Sequence, residues 1–178
     1  GIDSELVNSI KYEANEGNVY KQVVLGYLYR EGKGVEKDVK TSFDWILKAA
    51  EQEDMFAQRF VGKAYEIGDG VEKDLDEALE YYQKTIKEFK PDRLTDDALY
   101  RRGEIYFNRG KYIAALGSFR EILKILPHGD VVAKAKVRIS NIRPLVHVPS
   151  TIKEASAKVI KVATRSKENS SVASENES

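Results

Sequence analysis

The feature of this sequence that most restricts its fold is an internal repeat of 36 residues. Residues 25–50 align with residues 61–86 without a gap, and the offset is the same throughout. A period of this length is typical of proteins built from stacked supersecondary units. The residues identical in both blocks are Gly26/Gly62, Tyr29/Tyr65, Gly32/Gly68, Gly34/Gly70, Val35/Val71, Glu36/Glu72, Lys37/Lys73, Asp38/Asp74 and Lys48/Lys84.

Each block predicts two helices joined by a short loop. In residues 56–67, apolar side chains recur at three- and four-residue steps, which is the period of an α-helix. Gly68 is expected to adopt the left-handed backbone conformation that ends this helix. Asp74 is placed to cap the next helix. Gly62 lies in mid-helix, where glycine costs about 1 kcal/mol relative to alanine. We therefore expect another helix to pack closely against it.

Three segments of the chain carry the motifs of a known superfamily. Residues 19–54 contain L-G-x-x-Y, G-x-G-V-x-x-D and W-x-x-K-A-A, and they closely resemble the Sel1-like repeat, a longer-looped relative of the tetratricopeptide repeat. Residues 55–90 resemble it with Val61 for leucine and Tyr81 for tryptophan. Residues 96–129 resemble a tetratricopeptide repeat through Leu99, Gly103, Tyr106, Ala115, Phe119, Ile122 and Pro127. The resemblance implies an all-α fold, an α-solenoid in which antiparallel helix pairs form a right-handed superhelix.

The segments outside these units have their own predictions. By the 36-residue offset, residues 1–18 align with the end of a second helix, which predicts a preceding repeat whose first helix is missing. Residues 131–143 predict an amphipathic helix that caps the last open face. Residues 150–165 predict a further, weaker helix. Residues 166–178 are rich in Ser, Glu and Asn and predict a disordered tail.

The sequence predicts no catalytic residue, no metal site and no cofactor, so the chain is not expected to be an enzyme. It has no cysteine, which excludes thiolate nucleophiles and zinc–thiolate sites. The histidines, His128 and His147, lie beside prolines, and no acid or second histidine recurs at ligand spacing. The segment 69–80 does not match a calcium loop, because Val71 and Lys73 occupy two ligand positions.

Charge along the chain is unevenly distributed. The formal net charge is zero, which indicates neither a nucleic acid nor a membrane as a partner. Residues 131–167, however, contain nine lysines or arginines and one acid. The favoured interpretation is solvated helix faces, and the alternative is contact with an acidic protein or, through residues 150–167, an anionic membrane surface. Nucleic acid is not expected, because this stretch has no aromatic residue on which a base could stack.

The resemblance also implies where a partner would bind. In such arrays the first helices line a concave groove, and motif alignment transfers five groove positions to each unit. These positions are Tyr20, Val23, Tyr27, Arg30 and Glu31 in the first unit, Phe56, Arg59, Lys63, Glu66 and Ile67 in the second, and Asp97, Tyr100, Glu104, Phe107 and Asn108 in the third. The set is rich in Tyr, Phe and Arg, which are enriched at binding hot spots. The candidate site residues are Tyr27, Arg59, Lys63, Tyr100, Glu104 and Phe107. For Tyr20 and Phe56 the alternative is packing between repeats.

The predicted function is that of a scaffold or adaptor that holds an extended peptide or a helix of a partner protein. Proteins with similar Sel1-like repeats serve in bacterial envelopes, secretion and signalling, and in eukaryotic quality control. The alternative is a structural component of the cell envelope, tethered through the basic C-terminal helix. The chain begins with Gly1, which predicts a trimmed N-terminus. This slightly favours a bacterial envelope, periplasmic or secreted location and leaves the compartment open.

Overall fold

A computed structural model of the chain describes residues 2–88, 93–126 and 128–146. These residues contain eight α-helices and no strand, which confirms the all-α prediction. Every contact discussed below lies in the compact unit that ends at Ile142. The helices are α1 (Ser4–Asn15), α2 (Val19–Glu31), α3 (Val39–Glu51), α4 (Met55–Ile67), α5 (Leu75–Glu88), α6 (Arg93–Asn108), α7 (Tyr112–Ile125) and α8 (Asp130–Val146).

Helices α1 to α7 stack in chain order. Helices α2 and α3, α4 and α5, and α6 and α7 form three hairpins, and α3 and α5 each pack against the first helix of the following hairpin. The first helices α4 and α6 also contact each other directly. This arrangement is a solenoid, in which each unit completes the core of its neighbour.

The helix ends follow the residues that the repeat shares. The Asp38 carboxylate accepts hydrogen bonds from the backbone N–H groups of Lys40 and Thr41, both at 3.0 Å, and so caps α3. At the same position in the next unit, Asp74 accepts the N–H groups of Asp76 and Glu77. Both first helices, α2 and α4, end at a left-handed glycine. The capping predictions are therefore confirmed.

Glycines mark the closest approaches within the hairpins. A Cβ at Gly62 would lie 3.0 Å from the ring of Tyr82, and one at Gly26 would lie 2.4 Å from Cγ1 of Ile46. The core between α3 and α4 contains Phe43, whose ring packs edge-on against Tyr65 at 5.4 Å between centroids. The expected close packing at Gly62 is confirmed. Gly26 and Gly62 face the second helix of their hairpins, so a site can form on the other sides of α2 and α4.

The end segments differ in how far the structure describes them. Helix α1 lies within the segment predicted to be the second helix of a preceding repeat, and that origin stays a prediction. The predicted cap over residues 131–143 falls within α8, which continues through Pro144 to Val146. A proline this close to a helix end costs few backbone hydrogen bonds, so the helix does not stop there. The predicted helix 150–165 and tail 166–178 lie outside the described residues.

Candidate functional site

A groove of about 480 Å³ lies between α2 and α4. It contains seven of the ten groove positions that motif alignment assigned to the first two units, and Ile46 of α3, Phe60 and Asp69 also line it. The candidate residues Tyr27, Arg59 and Lys63 are therefore brought together. The seven positions are Val23, Tyr27, Arg30, Phe56, Arg59, Lys63 and Ile67.

The exposed wall of the groove follows from the helical period of α4. Phe56, Lys63 and Ile67 lie seven and four residues apart, so they share one face of the helix. Val61 lies on another face and is fully buried in the core between α3 and α4. Asp54 caps the start of α4 by accepting the N–H of Ala57 at 2.8 Å. The core and the cap thus fix the orientation in which α4 presents its groove face.

Large apolar and aromatic side chains that line the groove are exposed, as is Tyr20 at the start of α2. The exposed fractions are 72% for Tyr20, 60% for Phe56, 56% for Ile67 and 49% for Tyr27. The alternative that Tyr20 and Phe56 pack between repeats is therefore wrong, because neither side chain is covered by its neighbours. Tyr27 is oriented by the connecting loop, since its hydroxyl accepts a hydrogen bond from Lys33 Nζ at 2.9 Å. This hydrogen bond raises the pKa of Lys33.

Two of the three cations in the groove are paired with carboxylates of the next unit. Arg30 forms an ion pair with Asp69 and also lies over the Phe60 ring, 5.1 Å from its centroid. Arg59 pairs with Asp97 at 3.3 Å. Both pairs join successive first helices or their loops, so these arginines stabilise the stacking of repeats as well as lining the groove.

A polar network extends from Arg59 into the next hairpin. Asp97 also accepts from Arg101 at 3.3 Å, and Arg101 pairs with Glu66 at 3.2 Å. The hydroxyl of Tyr82 donates to Glu66 at 2.6 Å. Burial and the Glu66 carboxylate both raise the pKa of Tyr82, which keeps it a neutral donor. The groove wall is therefore held in place by a network that spans α4, α5 and α6.

The candidate residues of the third unit lie elsewhere. Tyr100, Glu104 and Phe107 do not line the groove between α2 and α4. Glu104 binds the Arg138 guanidinium of α8 through two hydrogen bonds of 2.7 Å, and this pairing raises the pKa of Arg138. The same guanidinium lies 5.1 Å from the centre of the Phe107 ring. Tyr100 packs against Phe119 at 5.5 Å. The predicted set thus divides into a groove group and a group that contacts α8.

Sequence reasoning missed the residues that tie neighbouring units together. Arg138 stands out in the sequence only as part of the basic stretch, and nothing there predicts its pairing with Glu104, 34 residues before it. Arg30 and Asp69 are separated by 39 residues, and Arg59 and Asp97 by 38. An arginine about one repeat length from an acid is the signal that could have indicated these pairs.

The lining of the groove combines apolar side chains, aromatic rings and cations. In the part of the chain that the structure describes, no three His, Asp or Glu side chains converge to hold a metal ion. No helix there is both long enough and apolar enough to cross a bilayer. His128 is exposed, and His147 lies outside the described residues.

Comparison with family models identifies the repeats. The Sel1 repeat model matches residues 22–54 and 56–88, and the tetratricopeptide repeat model matches residues 96–128. The chain carries two Sel1 repeats followed by one tetratricopeptide repeat. The resemblance inferred from the motifs is thereby confirmed. Repeats of both families build helical scaffolds that typically mediate protein–protein interaction and are generally non-catalytic.

Solved structures show the same architecture. A Sel1 repeat protein from Oxalobacter formigenes is 31% identical with a TM-score of 0.55, and the match covers 76% of this chain and 57% of that one. A protective antigen present in uropathogenic Escherichia coli strains, displaying an SLR fold, is 25% identical with a TM-score of 0.56, covering 70% of this chain. The match covers only 26% of the antigen's own length.

A third structure supports the fold alone. The MamA protein is 18% identical with a TM-score of 0.56, and the match covers 91% of this chain and 81% of MamA. No curated protein matches the chain in sequence. The solenoid is therefore shared with these proteins.

Proposed function

We propose that this Sel1-repeat chain is a scaffold that holds a peptide or helical segment of a partner protein in the groove between α2 and α4. The observation that carries the proposal is the convergence of exposed apolar side chains from two adjacent repeats. Phe56, Ile67 and Tyr27 face solvent around one concavity. Clustered exposed apolar surface in a concave site is typical of protein-binding surfaces.

The ordered charged side chains around the groove favour specific binding over nonspecific hydrophobic association. Arg30 and Arg59 are positioned by ion pairs with the following unit, and Tyr27 is positioned by Lys33. Side chains that are already ordered lose less conformational entropy when a partner binds. A peptide laid across α2 and α4 would contact side chains of both Sel1 repeats, so the paired repeats act as one binding unit.

The other predicted function concerns a different part of the chain. Tethering to a membrane or envelope is predicted through the basic residues 150–167, which lie outside the described residues. Contact with a membrane surface there stays a prediction, and no contact of the described residues favours it. The groove, by contrast, brings together exposed apolar side chains of two repeats.

A peptide library tests the proposal even though the partner is unidentified. Random 12-residue peptides displayed on phage would be selected on the immobilised full chain, and the affinities of enriched peptides measured by fluorescence polarisation. We expect the double variant Tyr27→Ala, Phe56→Ala to weaken binding at least tenfold, because it removes two large apolar contacts worth more than about 1.4 kcal/mol together. Helicity should be unchanged, since both side chains face solvent.

The matched control is Tyr12→Ala, which removes an exposed tyrosine from α1, outside the groove. Its binding should equal that of the unaltered chain. Enriched peptides that bind the double variant as tightly as the unaltered chain, or a library in which nothing enriches, would refute the groove as the binding site.

A further inference from the structure

We propose that the groove selects peptides in which an acidic side chain pairs with Lys63 and is flanked by apolar side chains that contact Phe56 and Ile67. This inference rests on the proposed function, because it specifies the chemistry of the segment that the groove holds. The ligand is a linear acidic–apolar peptide segment of a partner protein.

Lys63 differs from the other charged side chains that line the groove because it forms no ion pair within the part of the chain that the structure describes. Arg30 is paired with Asp69, and Arg59 is paired with Asp97. Lys63 is exposed, and among the described residues its ammonium has no ion pair or hydrogen bond. A partner that approaches the groove would therefore find one cation whose charge is not already balanced within the protein.

The charged neighbours of Lys63 on α4 and α6 do not neutralise it. Arg59 lies one turn before Lys63 on the same helix, and like charges at this spacing repel each other. Arg59 and Arg101 use both nearby carboxylates, Asp97 and Glu66, so this network leaves no acidic group over to balance Lys63. A carboxylate bound at Lys63 would relieve this repulsion, whereas a cation there would increase it. Charge complementarity thus favours an acidic segment.

Apolar contacts flank the cation along α4. Phe56 precedes Lys63 by seven residues and Ile67 follows it by four, and both side chains are mostly exposed. With a helical rise of 1.5 Å per residue, these separations are about 10 Å and about 6 Å. In an extended peptide, side chains on one face recur about every 6.7 Å. The fitting segment therefore has an apolar residue two positions from the acid on one side and two to four positions on the other.

The test is a selection repeated on a charge-reversed groove. Random 12-residue peptides would be selected in parallel on the unaltered chain, on Lys63→Glu and on Lys136→Glu. The control residue Lys136 is an exposed lysine in the middle of α8 and lies outside the groove. We expect Asp or Glu near an apolar residue to enrich on the unaltered chain and on Lys136→Glu, and Lys or Arg to enrich on Lys63→Glu.

A second measurement isolates the acid within one peptide. Replacing the enriched Glu or Asp by its amide should weaken binding to the unaltered chain by about threefold to fivefold, as for an exposed ion pair. The same replacement should have no effect on binding to Lys63→Met. An equal loss on both would overturn the inference, because the acid would then act at another residue.

The outcomes separate this inference from the function on which it rests. Enriched peptides that depend on Tyr27 and Phe56 but show no acidic preference, or keep it on Lys63→Glu, would overturn the pairing with Lys63 and leave the groove as the binding site. Peptides that ignore the Tyr27→Ala, Phe56→Ala double variant would overturn both.

Discussion

At the scale of single residues, glycine decides how closely the paired helices approach. Gly103 of α6 faces the fully buried ring of Phe119 on α7, and a Cβ at this position would lie 2.6 Å from that ring. Gly117, in the middle of α7, has nothing within 4 Å of the equivalent point. The two glycines occupy one hairpin, so they separate the steric role of glycine from its cost in helix propensity.

We expect Gly103→Ala to reduce the free energy of unfolding by about 1–3 kcal/mol, because the added methyl group overpacks a rigid aromatic core. The matched variant Gly117→Ala should increase it by about 0.5–1 kcal/mol, since alanine is the better helix former and meets no neighbour. Urea denaturation followed by circular dichroism measures both. A stabilised Gly103→Ala would contradict the close packing of α6 on α7.

At the scale of helices, α8 is attached to the array through a charged side chain as well as through its buried apolar row. Arg138 reaches α6, where its two hydrogen bonds to Glu104 and its contact with the Phe107 ring hold three groups in one arrangement. Bidentate pairs between arginine and carboxylate are stronger than single contacts because their geometry is fixed. The candidate residues of the third unit thereby stabilise the end of the array.

A double-mutant cycle with Arg138→Met and Glu104→Gln should give a coupling energy of about 1 kcal/mol in the free energy of unfolding, appropriate to a partly exposed bidentate pair. Methionine retains an apolar side chain of similar length and removes the guanidinium. The comparison cycle, Arg109→Met with Asp76→Gln, removes a single contact of 2.7 Å to a carboxylate that is 83% exposed. It should give a smaller coupling, and an equal or larger one would show that Arg138 has no special role.

At the scale of the whole chain, the repeat register made the fold predictable. The glycines at positions 26 and 62, the caps at Asp38 and Asp74 and the helix period are local signals, and each repeats at the same offset. Local signals that agree in successive units leave little freedom in how the helices pair. The groove positions of the first two units could be transferred for the same reason.

The arrangement of charges was not predictable in the same way. Whether Arg59 reaches Asp97, or Arg138 reaches Glu104, depends on the rotation between successive units, and that rotation arises from packing over the whole array. Motif alignment treats all units as equivalent, so it assigns Tyr100, Glu104 and Phe107 to the same groove as Tyr27. The structure separates them because Arg138 of α8 contacts Glu104 and Phe107 in the third unit.

The most direct test of the central claim is a map of where a bound peptide contacts the chain. One peptide enriched in the library selection would be titrated into the isotope-labelled chain, and amide chemical shifts recorded by NMR. The groove account predicts that the largest shifts cluster at Val23, Tyr27, Lys63 and Ile67, while helices α5 and α7, which contribute no residue to the groove, change little. Shifts that cluster on α5 and α7, or around α8, with the groove amides unmoved would contradict it.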